Sequence, residues 1–276
     1  MEIPAAVRRQ ALHPFQELLL PFGWKRVDGE RVTVCFHSYP IAKVVEPTNV
    51  EPGDVDAAVA EAREIARVEG TDRLVWWVEP AYEWLGPELE QRGVLHEVTP
   101  GFELVENAMA LVEPPSGKSS EGVTVRLVET IDDLAASDHV TVEAFEMGAE
   151  AAAEMDGSRA ERFAEYTTEG NSLLQFNALL DDEVVGTAAA VLGNHGINLF
   201  AAGVLAEARG RGVYRAMIRA RWDLAVECGT PALTVQAGQM SRPVLESSGF
   251  SVIAAAKMFV DDLATPTDER RLAVDR

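Results

Sequence analysis

Cysteine is nearly missing from this chain. Only Cys35 and Cys228 occur in 276 residues, and their spacing fits neither a disulfide framework nor a metal-ligand pattern. Cys228 falls in the last turn of an expected amphipathic helix and reads as a small core residue rather than a reactive thiol. Long apolar runs are missing too. No stretch approaches the length that crosses a bilayer, and Met1 to Arg9 holds no apolar segment of the secretory kind. Positive charge is scarce: 24 Lys and Arg stand against 45 Asp and Glu, a formal net charge of -21. That balance weighs against nonspecific binding to nucleic acid or an anionic membrane. Together these absences make a reducing cytoplasm the expected compartment, and a cationic amine would be weakly steered toward the molecule.

What is present is ordinary for a folded chain, with 47% hydrophobic and 25% charged residues. The length suggests two domains, each able to bury a core. The clearest seam runs from Glu113-Pro114-Pro115 to Glu121-Gly122, two prolines followed by small polar residues. It divides a first domain, 1–112, from a second, 123–264, with 113–122 as linker and 265–276 as a fraying polar tail. An internal repeat supports the division. Asp54-Val55-Asp56 starts a helix stopped by Gly70-Thr71, and the strand Leu74–Val78 follows. In the second domain a helix from Val213 stops at Gly229-Thr230 before the strand Ala232–Gln236. Each strand leads to a short helix closed by glycine, Gly93 or Gly249, and then to another β segment.

The rest of the second domain reads as strand Val123–Val128, then a helix capped by Thr130 with Asp133 at capping-box spacing. A further helix spans about 158–167. Strands Leu173–Leu180, Val184–Val191 and Ile197–Leu205 follow, joined by turns at Asp181-Asp182 and His195-Gly196. Hairpins first and crossover helices later predict an α/β fold with a mixed sheet.

Against the acidic background, 209–221 holds five arginines (Arg209, Arg211, Arg215, Arg219, Arg221) around Gly210 and Gly212, without one acid. It lies where a strand meets a glycine turn and then a helix. Backbone N–H groups at such a helix start, with the positive end of the helix dipole, suit a phosphate or pyrophosphate. Other anion motifs are excluded. A dinucleotide fingerprint would need glycine where Arg215 stands. No phosphate loop with lysine, no G-x-S-x-G elbow and no paired zinc-ligand histidines occur.

The run Arg209-Gly210-Arg211-Gly212-Val213-Tyr214 resembles the R-x-x-G-x-G/A signature of the GNAT superfamily of N-acetyltransferases. Val204-Leu205 occupies that family's strand end, and the segment Ser241 to Phe250 resembles its second motif, a short helix ending in Gly-Phe. The resemblance implies a mixed-sheet acyl-CoA N-acyltransferase fold in two related lobes. The second lobe would bind acetyl-CoA, and the first, whose counterpart turn Val50-Glu51-Pro52-Gly53 carries no arginine, would be degenerate. It implies cofactor contacts from Val204, Leu205, Arg209, Gly210, Arg211, Gly212, Val213, Tyr214 and Arg215. Pantetheine would lie along the strand where two parallel strands splay, and Arg215 and Arg219 would line the route to the 3′-phosphate. A solvated face is the plainer reading of Arg219 and Arg221. Val213, Met217, Ala220 and Leu224 form the expected buried stripe. No metal is implied; the acceptor would be a small-molecule amine, and a homodimer is left open.

The chain departs from the family where chemistry is concerned. Leu245 stands where the family commonly has a tyrosine that protonates the departing thiolate, and Ser241, Ser247, Tyr214 or a water are the substitutes. The strand Ile197–Gly203 has no carboxylate, so Asn198 with a water, Glu143, Glu146, His139 or His195 are the options for a base. No catalytic residue is assigned. Ser247 and Ser248 also read as helix-end polar groups, Glu143 and Glu146 as solvated charges. In the first domain, alternation along Val75-Trp76-Trp77-Val78 points one tryptophan to the core and one away, to pack or to close a cleft. Transfer of another acyl or aminoacyl group, and a noncatalytic acyl-CoA-binding module, are the rival readings.

Overall fold

The computed structural model describes residues 2–37, 43–99, 102–117 and 122–264. The polar tail expected at 265–276 and part of the linker, 118–121, lie outside them. In chain order the elements are helices α1 (Ala5–Leu12) and α2 (Pro14–Glu17), then strands β1 (Lys25–Asp28), β2 (Val32–Phe36) and β3 (Lys43–Pro47). Helix α3 (Val55–Glu69), strand β4 (Arg73–Val78), helix α4 (Leu85–Glu90) and strand β5 (Val105–Leu111) follow. Next come β6 (Val123–Leu127), α5 (Ile131–Ala144), α6 (Ala149–Tyr166), β7 (Leu173–Leu180), β8 (Glu183–Gly193) and β9 (Gly196–Val204). The chain closes with α7 (Val213–Glu227), β10 (Leu233–Ala237), α8 (Arg242–Ser247) and β11 (Ser251–Asp262).

Two compact units emerge, and neither is a continuous half of the sequence. The larger comprises Met1–Phe22, Met109–Gln236 and Met240–Ser251; the smaller comprises Gly23–Ala108, Ala237–Gln239 and the chain from Val252 on. The seam at 113–122 would have placed the N-terminal helices with the first half and the C-terminal strand with the second. In space α1 and α2 belong to the larger unit, and β11 beyond Ser251 belongs to the smaller. The helix–strand–helix repeat is present twice (α3–β4–α4 and α7–β10–α8).

In the smaller unit β1, β2 and β3 form an antiparallel run, β3 and β4 pair in parallel, and β11 closes antiparallel on β4, Lys257 opposite Val78. Ala58, Ala62 and Ala66 of α3 are small because they lie against this sheet, packing with Val34, Trp76 and Phe259. Gly86 is a steric requirement, since a Cβ there would come within 2.7 Å of the Phe259 ring. Trp77 is only 2% exposed, so it is packed and is not presented to a cleft. The strands β1 to β3 are additions to the elements read from the sequence.

In the larger unit β6, β7, β8 and β9 make an antiparallel meander, and β10 joins β9 in parallel. The Thr130 capping box forms as expected, with the hydroxyl accepting from the Asp133 amide. Helix α6 begins nine residues before the expected start at Ser158 (158 − 149) and buries no residue completely. It is held to α5 by Arg159 and Arg162, both paired with the buried carboxylate of Asp138. Helix α7 buries Val213, Ala216, Met217, Ile218, Arg221, Trp222 and Ala225, a broader face than the expected stripe. Ala220 and Leu224 are only half-buried. Gly186 of β8 admits α7 closely: a Cβ there would meet Val213 at 2.7 Å and the end of Met217 at 3.4 Å. Cys228 is exposed at the C-cap of α7, among the exposed residues Val226 to Gly229; the expected core role belongs to Cys35 instead.

Candidate cofactor site at the start of helix α7

Strand β9 ends at Val204, a single 3₁₀ turn spans Ala206–Ala208, and Arg209 to Gly212 leads into α7. Gly210 and Gly212 both adopt the left-handed conformation, φ 76° and 79°, which any residue with a Cβ enters only at a cost. Nothing lies within 4 Å of a Cβ built on Gly210, so that side of the turn is open. The amides of Ala208, Arg209 and Arg211 donate inward, to the carbonyls of Leu205, Ala206 and Ala208. Gly212 is the N-cap of α7, and no side chain caps the helix. The N–H groups of the first turn of α7 are therefore available to an external acceptor, with the dipole behind them.

The five arginines divide. Arg209 is exposed and its Nε donates to the Val204 carbonyl at 3.2 Å. Arg211 is exposed, 3.8 Å from the still more exposed Asp181, a pair too solvated to hold it firmly. Arg215 donates to Ser247 Oγ at 2.9 Å, and Arg219 to the Pro115 carbonyl at 2.6 Å. The linker start is thereby tied down, with the Ser116 amide donating to the Ser248 carbonyl at 2.9 Å. Arg221 is not on a solvated face at all: it is completely buried, contrary to the plainer expectation.

Beside the turn the backbone opens. Strands β9 and β10 pair at Ile197/Leu233, Asn198/Thr234 and Leu199/Val235, and β9 then runs on to Val204 without β10 alongside. On its other side β9 slips register against β8: Ala189 faces Phe200, yet Thr187 faces Gly203. Ala201 and Ala202 thus oppose the single residue Ala188, a bulge, and Ala201 carries φ 41°. A non-glycine residue in that region is held there by its surroundings. Past Leu199 the edge of β9 turned from β8 has no strand partner among the described residues, and it leads to an uncapped, arginine-lipped helix start.

Several side chains weighed for catalysis are spent elsewhere. Asn198 is buried, accepting from Thr234 Oγ1 at 2.7 Å and donating to Gln236 Oε1 at 3.1 Å. Gln10 of α1 extends the network, donating to Thr234 Oγ1 and accepting the His195 amide. Thr234 and Gln236 thus hold the Asn198 amide in place. Leu245 is fully buried in α8. Ser247 and Ser248 both donate to the Val244 carbonyl, as helix-end hydroxyls do. Tyr214 packs against the core formed by Ala178, Val213 and Met217, and burial raises its phenol above the usual range. Glu143, Glu146 and His139 are exposed, and His195 lies 3.9 Å from Glu17.

One group escaped sequence reasoning. Glu106, in β5 of the smaller unit, has its carboxyl pushed up to about 7 by burial, with the Glu103 amide pulling it back and the Glu103 carboxylate adding to the rise. Among 45 acids nothing marked it, because only the fold removes it from water. No described helix is long and apolar enough to cross a membrane, and no trio of metal-ligating side chains occurs among the described residues.

No protein-family profile and no curated protein sequence matches the chain. Solved structures do. A GCN5-related N-acetyltransferase from Kribbella flavida superposes with a TM-score of 0.67 at 16% identity, over 94% of this chain and 96% of that one. A GCN5-related N-acetyltransferase from Sphaerobacter thermophilus gives 0.57 at 15% identity, over 86% and 82%. A tandem GNAT protein from the clavulanic acid biosynthesis pathway gives 0.57 at 18% identity, over 95% and 89%. The chain thus has the mixed-sheet fold of the GCN5-related N-acetyltransferases, in its tandem arrangement.

Proposed function

We propose that this chain is an N-acetyltransferase that moves the acetyl group of acetyl-CoA to the amine of a small molecule. The observation that carries the reading is the start of α7, where two left-handed glycines and an uncapped first turn meet two exposed arginines. That combination suits a diphosphate: amides supply directed donors, and arginines supply charge. Arg209, Gly210, Arg211, Gly212, Val213, Tyr214 and Arg215 would form the cradle, and Val204 and Leu205 the strand end beside pantetheine. Of the two arginines assigned to the 3′-phosphate, Arg215 keeps an exposed guanidinium held by Ser247, whereas Arg219 is committed to the linker carbonyl.

The bound thioester supplies an electrophilic carbonyl carbon. The amine nitrogen bonds to that carbon and the carbon–sulfur bond breaks; the amine loses a proton, the thiolate gains one, and amide and CoA thiol result. The residues present can bind and orient the carrier, and the backbone amides of the β9 bulge can meet the negative charge that develops on the acyl oxygen. A neutral amine would be accepted directly, which reduces the need for a side-chain base.

A second reading keeps the carrier and drops the chemistry. Leu245, buried where the related enzymes commonly place an acid, and Asn198, consumed by Thr234 and Gln236, favour a noncatalytic acyl-CoA-binding module. Transfer of a different acyl or aminoacyl group is a variant of the first. Calorimetry with CoA tests the carrier site. Thiol release from acetyl-CoA across a panel of small amines then separates the readings: amine-dependent release supports the transferase, and its absence with intact CoA binding supports the module.

A further inference from the structure

Arg221 is a buried cation that no carboxylate among the described residues balances. It is completely buried on the sheet-facing side of α7. One terminal nitrogen, Nη2, has no hydrogen-bond partner. Burial pulls its pKa down only to about 10, so it is protonated at neutral pH. A buried cation without a counter-charge costs several kcal/mol, and an apolar side chain of similar volume would be the stable choice. Its two satisfied nitrogens show where it acts. Nε donates to the Met217 carbonyl one turn back at 2.9 Å, which aims the guanidinium, and Nη1 donates to the Ala189 carbonyl on β8 at 3.2 Å.

Ala189 is the residue opposite Phe200, the last pair before the register slips and β9 bulges at Ala201–Ala202. We propose that Arg221 is a positioning residue for acyl transfer: it pins β8 at the edge of the bulge and holds a fixed positive charge beneath the strand backbone that receives the acyl oxygen. This rests on the acetyl-CoA reading above. A preorganised charge in a water-poor interior stabilises developing negative charge far more than one in solvent. It also explains why the cation is kept although nothing balances it.

The test reads the acyl group itself. [1-¹³C]Acetyl-CoA is bound to the full chain, and the infrared frequency of its labelled carbonyl is compared for wild type, Arg221→Met and Arg221→Lys. The wild type should lower the frequency relative to free acetyl-CoA. Arg221→Met should lose at least half of that lowering while CoA affinity stays within about threefold. Arg221→Lys, which keeps the charge but cannot reach both carbonyls, should fall between. If both variants fold and bind with the wild-type frequency, Arg221 is merely structural and the inference fails while the cofactor reading stands. If Arg221→Met does not fold, an unshifted frequency in Arg221→Lys overturns it equally. A wild type that fails to bind acetyl-CoA overturns the cofactor reading and this one with it.

Discussion

Two helices of equal length, α3 and α7, follow related turns in the two repeats, yet they open on opposite electrostatics. Helix α3 starts from Asp54 with Asp56 in its first turn and Glu51 just before. Helix α7 starts from left-handed Gly212, has no acid in its first turn, and is preceded by Arg209 and Arg211. Both have an uncapped N-terminus and the same dipole. The dipole alone therefore does not define an anion site; neighbouring charge decides whether it attracts a ligand or is already neutralised. The acids at α3 serve the helix they begin, and they exclude a phosphate. The arginines at α7 do nothing for their own helix, since a cation at an N-terminus opposes the dipole, and the proposed anion site would use that mismatch.

The largest expected effect strikes the arginine side of this contrast. Arg209→Ala combined with Arg211→Ala should weaken CoA binding by about 2–4 kcal/mol, from two charge-assisted contacts, with little change in melting temperature because both side chains are exposed. Calorimetry with CoA reads the first and thermal unfolding the second. Unchanged affinity would erase the distinction between the two helix starts.

How much of this was legible follows from where the information resides. The glycine turn, the Thr130 capping box and the meander strands β7 to β9 are local patterns, and each is found within a few residues of its expected place. The path of the chain between units was not local. That β11 pairs with β4, with Lys257 opposite Val78 (257 − 78 = 179 residues earlier), cannot be inferred from a repeat that reads as two tidy halves. Site residues failed in the same way. Arg221 looked like one more surface arginine, and Asn198 like a free polar group, because burial and hydrogen-bond partners arise only when distant segments meet. Gln10, from the first helix, completes the Asn198–Thr234 network, a connection no spacing rule supplies.

A second contrast, between two carboxylates, predicts opposite pH responses. Glu106 has its carboxyl raised from 4.5 to about 7 in the folded chain. The folded state therefore keeps its proton longer than the unfolded one, and stability falls as pH climbs through that interval. Glu106→Gln, always neutral, should match the wild type near pH 4 and exceed it by roughly 1–3 kcal/mol at pH 8. Asp133 runs the other way. Burial pushes it up, but bonds from the Thr130 hydroxyl and the Glu129 and Thr130 amides, with Arg126 nearby, bring it below the usual range. Its stabilisation is present above the ordinary aspartate pKa and is lost as pH falls from there through the lower folded-state value. Urea unfolding followed from strongly acidic to mildly alkaline pH separates them: Asp133→Asn should flatten the acid limb, and Glu106→Gln the alkaline one. Coincident profiles would mean that neither group is displaced by the fold.

The smallest effects come from the two glycines that precede these helices, and they sharpen the first contrast most directly. Gly212 adopts φ 79°, so Gly212→Ala should cost about 1–2 kcal/mol of stability and also turn the first-turn amides of α7, lowering CoA affinity. Gly53 has open space around a built Cβ and no left-handed φ. Gly53→Ala should therefore be neutral or stabilise by about 0.4–1 kcal/mol, through the unfolded chain. Denaturant midpoints for the two variants, with CoA titrations for Gly212→Ala, measure both. Equal midpoints would show that the turn before α7 does not depend on left-handed backbone. A destabilised Gly212→Ala that still binds CoA normally would show that the glycine shapes the helix start without shaping the anion cradle.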